Sequence, residues 1–334
     1  VPEIDPEVDP EIVTDISGLT AAQRVSAQAT RISEMAKVDM AEAFMEWAHV
    51  MTAHYLSMAD HGQASAQVRA VKTALEQRTR PGSTAMAGAF KDVVGVAELP
   101  VIWREVGEEI QLDGPIAWAS NLWENAVMVT AARHEVTGQR IVVVIDVKHP
   151  GITVSPITDL LALGETASGT LQLDQVVISV DQILHRSLAD FARRVRTRFL
   201  ALQTSFCLGL SEASLAACAQ NAGGSPTGSD VNAVFHDQHS TLVSRLDRLR
   251  YELDSVIAAI TDEPATAAEI TAAISLRLEA AVLAREATQI ELCISGGRGY
   301  VASSPTARRL REAMFIPVQS PTEGQLRWEL TRSA

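Results

Sequence analysis

The chain has 334 residues, 47% hydrophobic and 21% charged, which is enough apolar material for a sizeable core and too much for an intrinsically disordered polymer. Twenty-eight Lys and Arg against 41 Asp and Glu leave a formal charge of −13, and aromatics make up 4%. A nucleic-acid binder needs a positive field, commonly with aromatic stacking surfaces, so that class of partner is excluded at the outset.

Residues 1–16 (VPEIDPEVDPEIVTDI) are acidic and punctuated by proline, unlike the basic start and apolar core of a secretory signal, and read as a solvated tail. From about Thr20 to Gly62 the pattern is helical. Alanine is frequent, Gly and Pro are absent from the interior, and apolar side chains recur three to four apart through Phe44, Trp47, Val50 and Met51. A second helical stretch covers about Ala64 to Thr79 and stops at Pro81-Gly82. Between Val93 and Val180 the texture changes to short β-branched runs (NAVMVTAA, QRIVVVIDV, GITVSPI, GTLQLDQVVIS) separated by turn residues. These predict a compact β barrel or sandwich of about 90 residues. After Ser187 helical periodicity returns over 188–220, 230–261, 265–295 and 304–315, broken by AGGSPTGSD, Asp262-Glu263-Pro264 and GGRGY. Long helices with short connections predict an antiparallel bundle. The expected fold class is α+β: an acidic tail over 1–16, an N-terminal helical domain over 17–90, a central β barrel or sandwich over 91–186, and a C-terminal four-helix bundle over 187–334.

Three cysteines (Cys207, Cys218, Cys293), odd in number and without a CxxC pair, predict a reduced, cytoplasmic protein with neither a disulfide framework nor a cysteine zinc site. No apolar run approaches the ~20 residues of a bilayer span. Glu46 and His49 form one Glu-x-x-His, whereas a di-iron bundle needs two such pairs and two further glutamates. His236 and His239 share a helix face, but two imidazoles do not close a metal site, so no metal is expected. Ser225 lacks the second glycine of a nucleophile elbow, and Gly297-Arg298-Gly299 follows a helix instead of a strand, so the dinucleotide fingerprint fails in context. Two basic knots, Arg193/Arg194/Arg196/Arg198 and Arg308/Arg309/Arg311, read as solvated faces, ion pairs or anion contacts.

The helical–β–helical order and three motifs carry a resemblance to a known family. Gly296-Gly297-Arg298-Gly299-Tyr300 is followed by Arg311-Glu312-Ala313; Leu112 to Asn121 reads LDGPIAWASN; and Gly169-Thr170-Leu171 leads into Val176-Val177. In this combination the sequence resembles the acyl-CoA dehydrogenase-like flavoproteins over roughly 80–330. The resemblance implies an FAD, held weakly or not at all in a diverged member, between the β region and the bundle. It implies that Trp118 packs by the flavin ring and that Ser120 hydrogen-bonds near N5. It further implies that the strand end at Gly82–Ala87, through Thr84, Ala85 and Met86, meets the pyrimidine edge, with Thr322 a further cofactor contact. The implied substrate is an acyl-CoA or other small molecule, faced by Arg198, which lies about two residues from the family's arginine. In such dehydrogenations a carboxylate takes the α-proton of a thioester while hydride leaves the β-carbon for flavin N5.

Counted without gaps, the family's base falls on Ser320; a three-residue insertion would make Glu323 the base, and an alternative family placement falls on Phe199. The family's pyrophosphate contact across a subunit boundary corresponds to Gly223–Asp230, and its glutamine before the Gly-Gly pair is Cys293. Three functions are therefore expected to compete. One is an acyl-CoA dehydrogenase-like oxidoreductase with Glu323 as base. Another is a monooxygenase on the same fold using reduced flavin from a partner reductase. The third is a non-catalytic subunit paired with an active paralogue. The expected assembly is a homodimer, a homotetramer or a heteromer with that paralogue.

Overall fold

In the computed structural model, which describes residues 18–59, 64–222 and 231–333, the first helical stretch is two helices, α1 (Ala21–Val38) and α2 (Met40–Ser57). The expected acidic tail and the Gly223–Asp230 segment lie outside the described residues. Asp39 makes the break. Its backbone is extended (φ −150°, ψ 119°), its N–H closes α1 on the Met35 carbonyl, and its carboxylate accepts from the N–H groups of Ala41 (2.7 Å) and Glu42 (3.2 Å). One aspartate thus ends one helix and caps the next, while the apolar period runs on across it. Helix α3 (Ala66–Glu76) follows.

The central region is one sheet of eight strands, β1 (Gly82–Thr84), β2 (Ile102–Val106), β3 (Glu109–Ala119), β4 (Val127–His134), β5 (Arg140–Asp146), β6 (Ile152–Pro156), β7 (Gly169–Ser179) and β8 (Ile183–His185). A short helix, α4 (Ala87–Val93), separates β1 from β2. Strand order is β6-β7-β3-β2-β4-β5-β8, with β1 running parallel to the start of β4. The three-residue strands β1 and β8 are too short to show alternation in the sequence. Strands β4 and β5 bury both faces. Val127, Val129, Ala131, Val142 and Val144 join the helical core, while Met128, Ala132, Ile141, Val143 and Ile145 join a second core with Ile110, Leu112, Leu173 and Val176 of β3 and β7. Two-sided burial accounts for the nearly continuous apolar runs of these two strands, and the shared second core shows that the sheet folds back on itself as a sandwich.

The C-terminal region holds α5 (Leu188–Ala222), α6 (His236–Ala258), α7 (Ala267–Gly299), α8 (Pro305–Phe315) and α9 (Glu323–Ser333). Helix α5 is the axis, lying against α1, α6 and α7. By length and composition its Leu188–Gln220 stretch could cross a membrane, but 83% of that apolar window is buried inside the protein, as expected of a central core helix. At Gly209 the α1–α5 crossing is so close that a Cβ would lie 2.2 Å from the Ser33 carbonyl oxygen. The GGRGY segment breaks α7 at Gly296 (φ 58°, ψ −147°), a conformation open to glycine. Helix α9 escapes the periodicity reading. It is short and polar, and is anchored by Leu326 and by Glu329, which receives two hydrogen bonds from Arg196 Nη2 (2.6 and 2.7 Å). The helices–sheet–helices order expected from the sequence is the order found.

Candidate functional site

The segment that the resemblance matches to the flavin's pyrimidine edge begins at β1. His49 Nδ1 accepts from the Gly82 N–H (3.1 Å), so its hydrogen sits on Nε2 and is donated to the Leu75 carbonyl (3.0 Å). Burial, and after it the charge of Arg78, holds this imidazole below the ordinary histidine range. Glu46, the other half of the Glu-x-x-His pair, is clasped by Arg31 and Arg78. Gly82 lies so near α2 that a Cβ there would stand 2.7 Å from Thr52 Cβ. Beyond it the chain passes Thr84, whose hydroxyl donates to the Tyr55 hydroxyl (3.4 Å), Ala85, whose N–H bonds Val129 (2.9 Å), and the buried Met86.

The end of β3 meets this segment. Asn121, at φ 64°, donates from Nδ2 to the Gly82 carbonyl (2.9 Å), and the Ser83 hydroxyl donates to the Ser120 carbonyl (2.6 Å). The structure therefore brings Thr84–Met86 and Trp118–Ser120 to one place, and leaves the Trp118 indole 56% exposed. Two residues that sequence reasoning missed complete the corner. Ser120 Oγ lies 2.7 Å from Ser168 Oγ, which lies 2.7 Å from Thr166 Oγ1, and Thr166 donates to the Leu163 carbonyl (2.8 Å). Their only signal was a turn-like GETASG far along the chain. An exposed flat indole beside a hydroxyl and an apolar strand end suits the face and edge of a flavin ring; the segment matched to the pyrophosphate contact is outside the described residues.

Of the positions matched to a catalytic carboxylate, Phe199 lies on α5 and Ser320 is tied to that helix one turn further on. The Ser320 carbonyl accepts from Gln203 Nε2 (3.0 Å), and Gln203 Oε1 accepts from Arg277 Nε (3.3 Å). Arg277, 1% exposed, also reaches Gln319 Oε1 (2.9 Å) and lies over the Phe206 ring. One turn before Gln203, Phe199 packs edge-on against Trp47 (4.9 Å) and Phe90 (4.7 Å). Glu323, the first residue of α9, is held between Arg285 (2.9 Å) and Arg327 (2.8 Å). Thr322 Oγ1 accepts from the Gln325 N–H (3.2 Å), capping α9. Arg198 turns toward α1 and α2, donating to His54 Nδ1 (2.5 Å) and Gln28 Oε1 (3.3 Å), whereas Glu323 pairs with Arg285 and Arg327 and the Ser320 carbonyl with Gln203. Burial, then repulsion from Arg24, lowers its guanidinium to about 10. Each buried glutamate among the described residues, Glu46, Glu291, Glu312 and Glu329, has an arginine partner.

Three of the seven arginines of the basic knots are spent on such pairs. Arg196 binds Glu329, Arg308 binds Glu312, and Arg309 binds Glu291. Arg194 donates to the Asp262 carbonyl and Arg311 to the Ala302 carbonyl. Beside the broken end of α7 lies a cavity of about 530 Å³ lined by Glu291, Ser295, Arg298, Ser304 and Thr306, among others. His239 bonds the Leu215 carbonyl (3.0 Å).

No protein-family model matches the sequence. No curated protein matches it either. Solved structures do match. The chain is similar to butyryl-CoA dehydrogenase from Megasphaera elsdenii, with a TM-score of 0.82 and 17% identity, covering 92% of this chain and 82% of that one. It is similar to the ChsE4–ChsE5 complex from Mycobacterium tuberculosis, with a TM-score of 0.76 and 15% identity over 92% and 80% of the two chains. It is also similar to dibenzothiophene monooxygenase from Paenibacillus sp. A11-2, with a TM-score of 0.74 and 16% identity over 92% and 83%. The chain has the acyl-CoA dehydrogenase-like fold, in a form diverged far in sequence and shared by dehydrogenases and monooxygenases alike.

Proposed function

We propose that this chain is a subunit of a flavin-dependent oxidoreductase of the acyl-CoA dehydrogenase type, one that supplies a wall for the flavin ring but no α-proton base of its own. One observation carries the proposal: both positions matched to a base lack a carboxylate, and the nearby one is engaged. Ser320 has its carbonyl tied to Gln203, Phe199 is embedded among aromatic rings, and Glu323 is held by two guanidiniums. A carboxylate engaged in ion pairs with two guanidiniums must give up those partners before it can reach a substrate proton. Bound FAD supplies the hydride acceptor, and Trp118, Ser120 and the Thr84–Met86 edge would hold its ring. The base would come from a paralogous partner, in keeping with the likeness to a complex of two named chains.

The absorption spectrum of the purified chain, alone and co-expressed with a paralogue, tests this. Flavin absorbance that an acyl-CoA bleaches anaerobically only in the co-expressed complex is the expected result. Bleaching by the chain alone, lost in Glu323→Gln, would favour instead a self-sufficient dehydrogenase, the reading for which the Glu323-Gly324 pair speaks. Hydroxylation driven by NADH and an added reductase, with no bleaching, would favour the monooxygenase reading, which equally needs no base.

A further inference from the structure

We infer that the hydroxyl chain behind Ser120 fixes that residue as a hydrogen-bond acceptor toward the flavin, so that the site prefers reduced to oxidised FAD. This rests on the placement of the flavin ring proposed above, and adds to it a redox preference.

The direction follows from counting hydrogens. A hydroxyl has one hydrogen to donate and lone pairs to accept with. The Leu163 carbonyl has none, so at 2.8 Å the hydrogen in that contact belongs to Thr166. Thr166 has then nothing left to donate, and its 2.7 Å contact with Ser168 needs the hydrogen of Ser168. Ser168 is spent in turn, and its 2.7 Å contact with Ser120 needs the hydrogen of Ser120. The hydrogens therefore run Ser120 to Ser168 to Thr166 to Leu163. Ser168 and Thr166 are 7% and 1% exposed, so water has little access to reverse the order.

The backbone holds this register. Asn121 N–H donates to the Thr166 carbonyl (2.8 Å), Leu122 N–H to the Ala167 carbonyl (3.1 Å), and Ser83 pins the Ser120 carbonyl. Ser120 Oγ thus turns only lone pairs to the exterior. Oxidised flavin N5 carries a lone pair and no hydrogen, so it faces a second acceptor there. Two-electron reduction with uptake of a proton places a hydrogen on N5, and that N–H can donate to Ser120 Oγ. The reduced ring gains a hydrogen bond that the oxidised ring lacks.

The full chain, alone and with its co-expressed partner, would be titrated with FAD under oxidised and dithionite-reduced anaerobic conditions, and the midpoint potential of bound FAD compared with that of free FAD. One net hydrogen bond predicts about tenfold tighter binding of the reduced form, an upward shift of about 30 mV for a two-electron couple. Ser168→Ala releases the Ser120 hydrogen for donation to oxidised N5, so oxidised affinity should rise and the preference vanish. Thr166→Val, which keeps the backbone contacts, should act the same way through Ser168. Ser120→Ala should abolish the preference without any gain in oxidised affinity, a contrast that general loosening of the fold would not produce. Circular dichroism checks that each variant is folded. Equal or tighter binding of oxidised FAD by the natural chain, or no gain of oxidised affinity in folded Ser168→Ala and Thr166→Val, overturns the inference and leaves the flavin placement standing. Binding of neither redox form in either preparation overturns the placement itself, and the inference with it.

Discussion

Replacing Glu329 by glutamine removes one charge from a pair that ties α9 to the central helix. Arg196 and Glu329 have side chains only 4% and 8% exposed, Arg196 Nη2 bonds both carboxylate oxygens, Gln325 donates to one of them (3.0 Å), and the guanidinium lies 5.4 Å from the Phe90 ring centroid. The variant keeps the shape but leaves the buried guanidinium uncompensated, which typically costs about 3–5 kcal/mol. Helix α9 is short and otherwise held mainly by Leu326 and Leu330, so the cost should fall first on its local docking. Its opening equilibrium should therefore rise by roughly two to three and a half orders of magnitude. Hydrogen exchange read by mass spectrometry over the α9 peptides, with the middle of α5 as reference, measures this directly. An apolar double replacement, Arg196→Met with Glu329→Leu, should restore most of the protection, because the loss lies in the unpaired charge and not in the missing bond. The reasoning fails if Glu329→Gln changes α9 protection less than tenfold, or if the double variant is no better protected than the single one.

Trp118→Ala should leave the urea midpoint within about 0.5 kcal/mol of the natural chain, since the indole is 56% exposed, while flavin retention falls sharply; a large stability loss would mean that the indole is structural. Gly209→Ala should cost about 1–3 kcal/mol or more by urea titration, because the new methyl meets the Ser33 carbonyl at 2.2 Å and forces α1 from α5. Burial holds His49 neutral and below the ordinary histidine range, so the unfolded chain binds the proton first as pH falls, and stability is lost on acidification below about 6.5. The destabilisation caused by His49→Gln, measured against the natural chain, should accordingly shrink between pH 7.5 and pH 5, and a pH-independent gap would show that His49 does not contribute to the acid lability.

The fold was legible where periodicity is strong, as in the long helices α5, α6 and α7 and in strands β4, β5 and β7. It was not legible where one residue acts through backbone geometry. Asp39 divides what reads as a single helix, and Gly82-Ser83-Thr84 forms a strand too short to alternate. The proposed ring wall was half legible: Trp118 and Ser120 were singled out through the motif around them, but Ser168 and Thr166 were not, because their place behind Ser120 depends on contacts 45–48 residues away that no local pattern encodes. The basic knots were legible as to kind but not as to partner. Ion pairing was one of the readings of these arginines, but the carboxylates that neutralise three of them, Glu291, Glu312 and Glu329, lie four to 133 residues away.

Strands β4 and β5 have no free side, and this has a consequence for how the chain can come apart. Val127, Val129, Ala131, Val142 and Val144 seal the helices from the same strands whose alternate residues seal the sandwich. Neither layer can be peeled away without wetting the other, so the three textures of the sequence should melt in one transition, and residues 91–186 expressed alone should aggregate through the bared valine face. The Thr84–Met86 edge hangs from this common partition through the Ala85–Val129 hydrogen bond, so a methyl group removed on either side of it should move the edge of the proposed ring site.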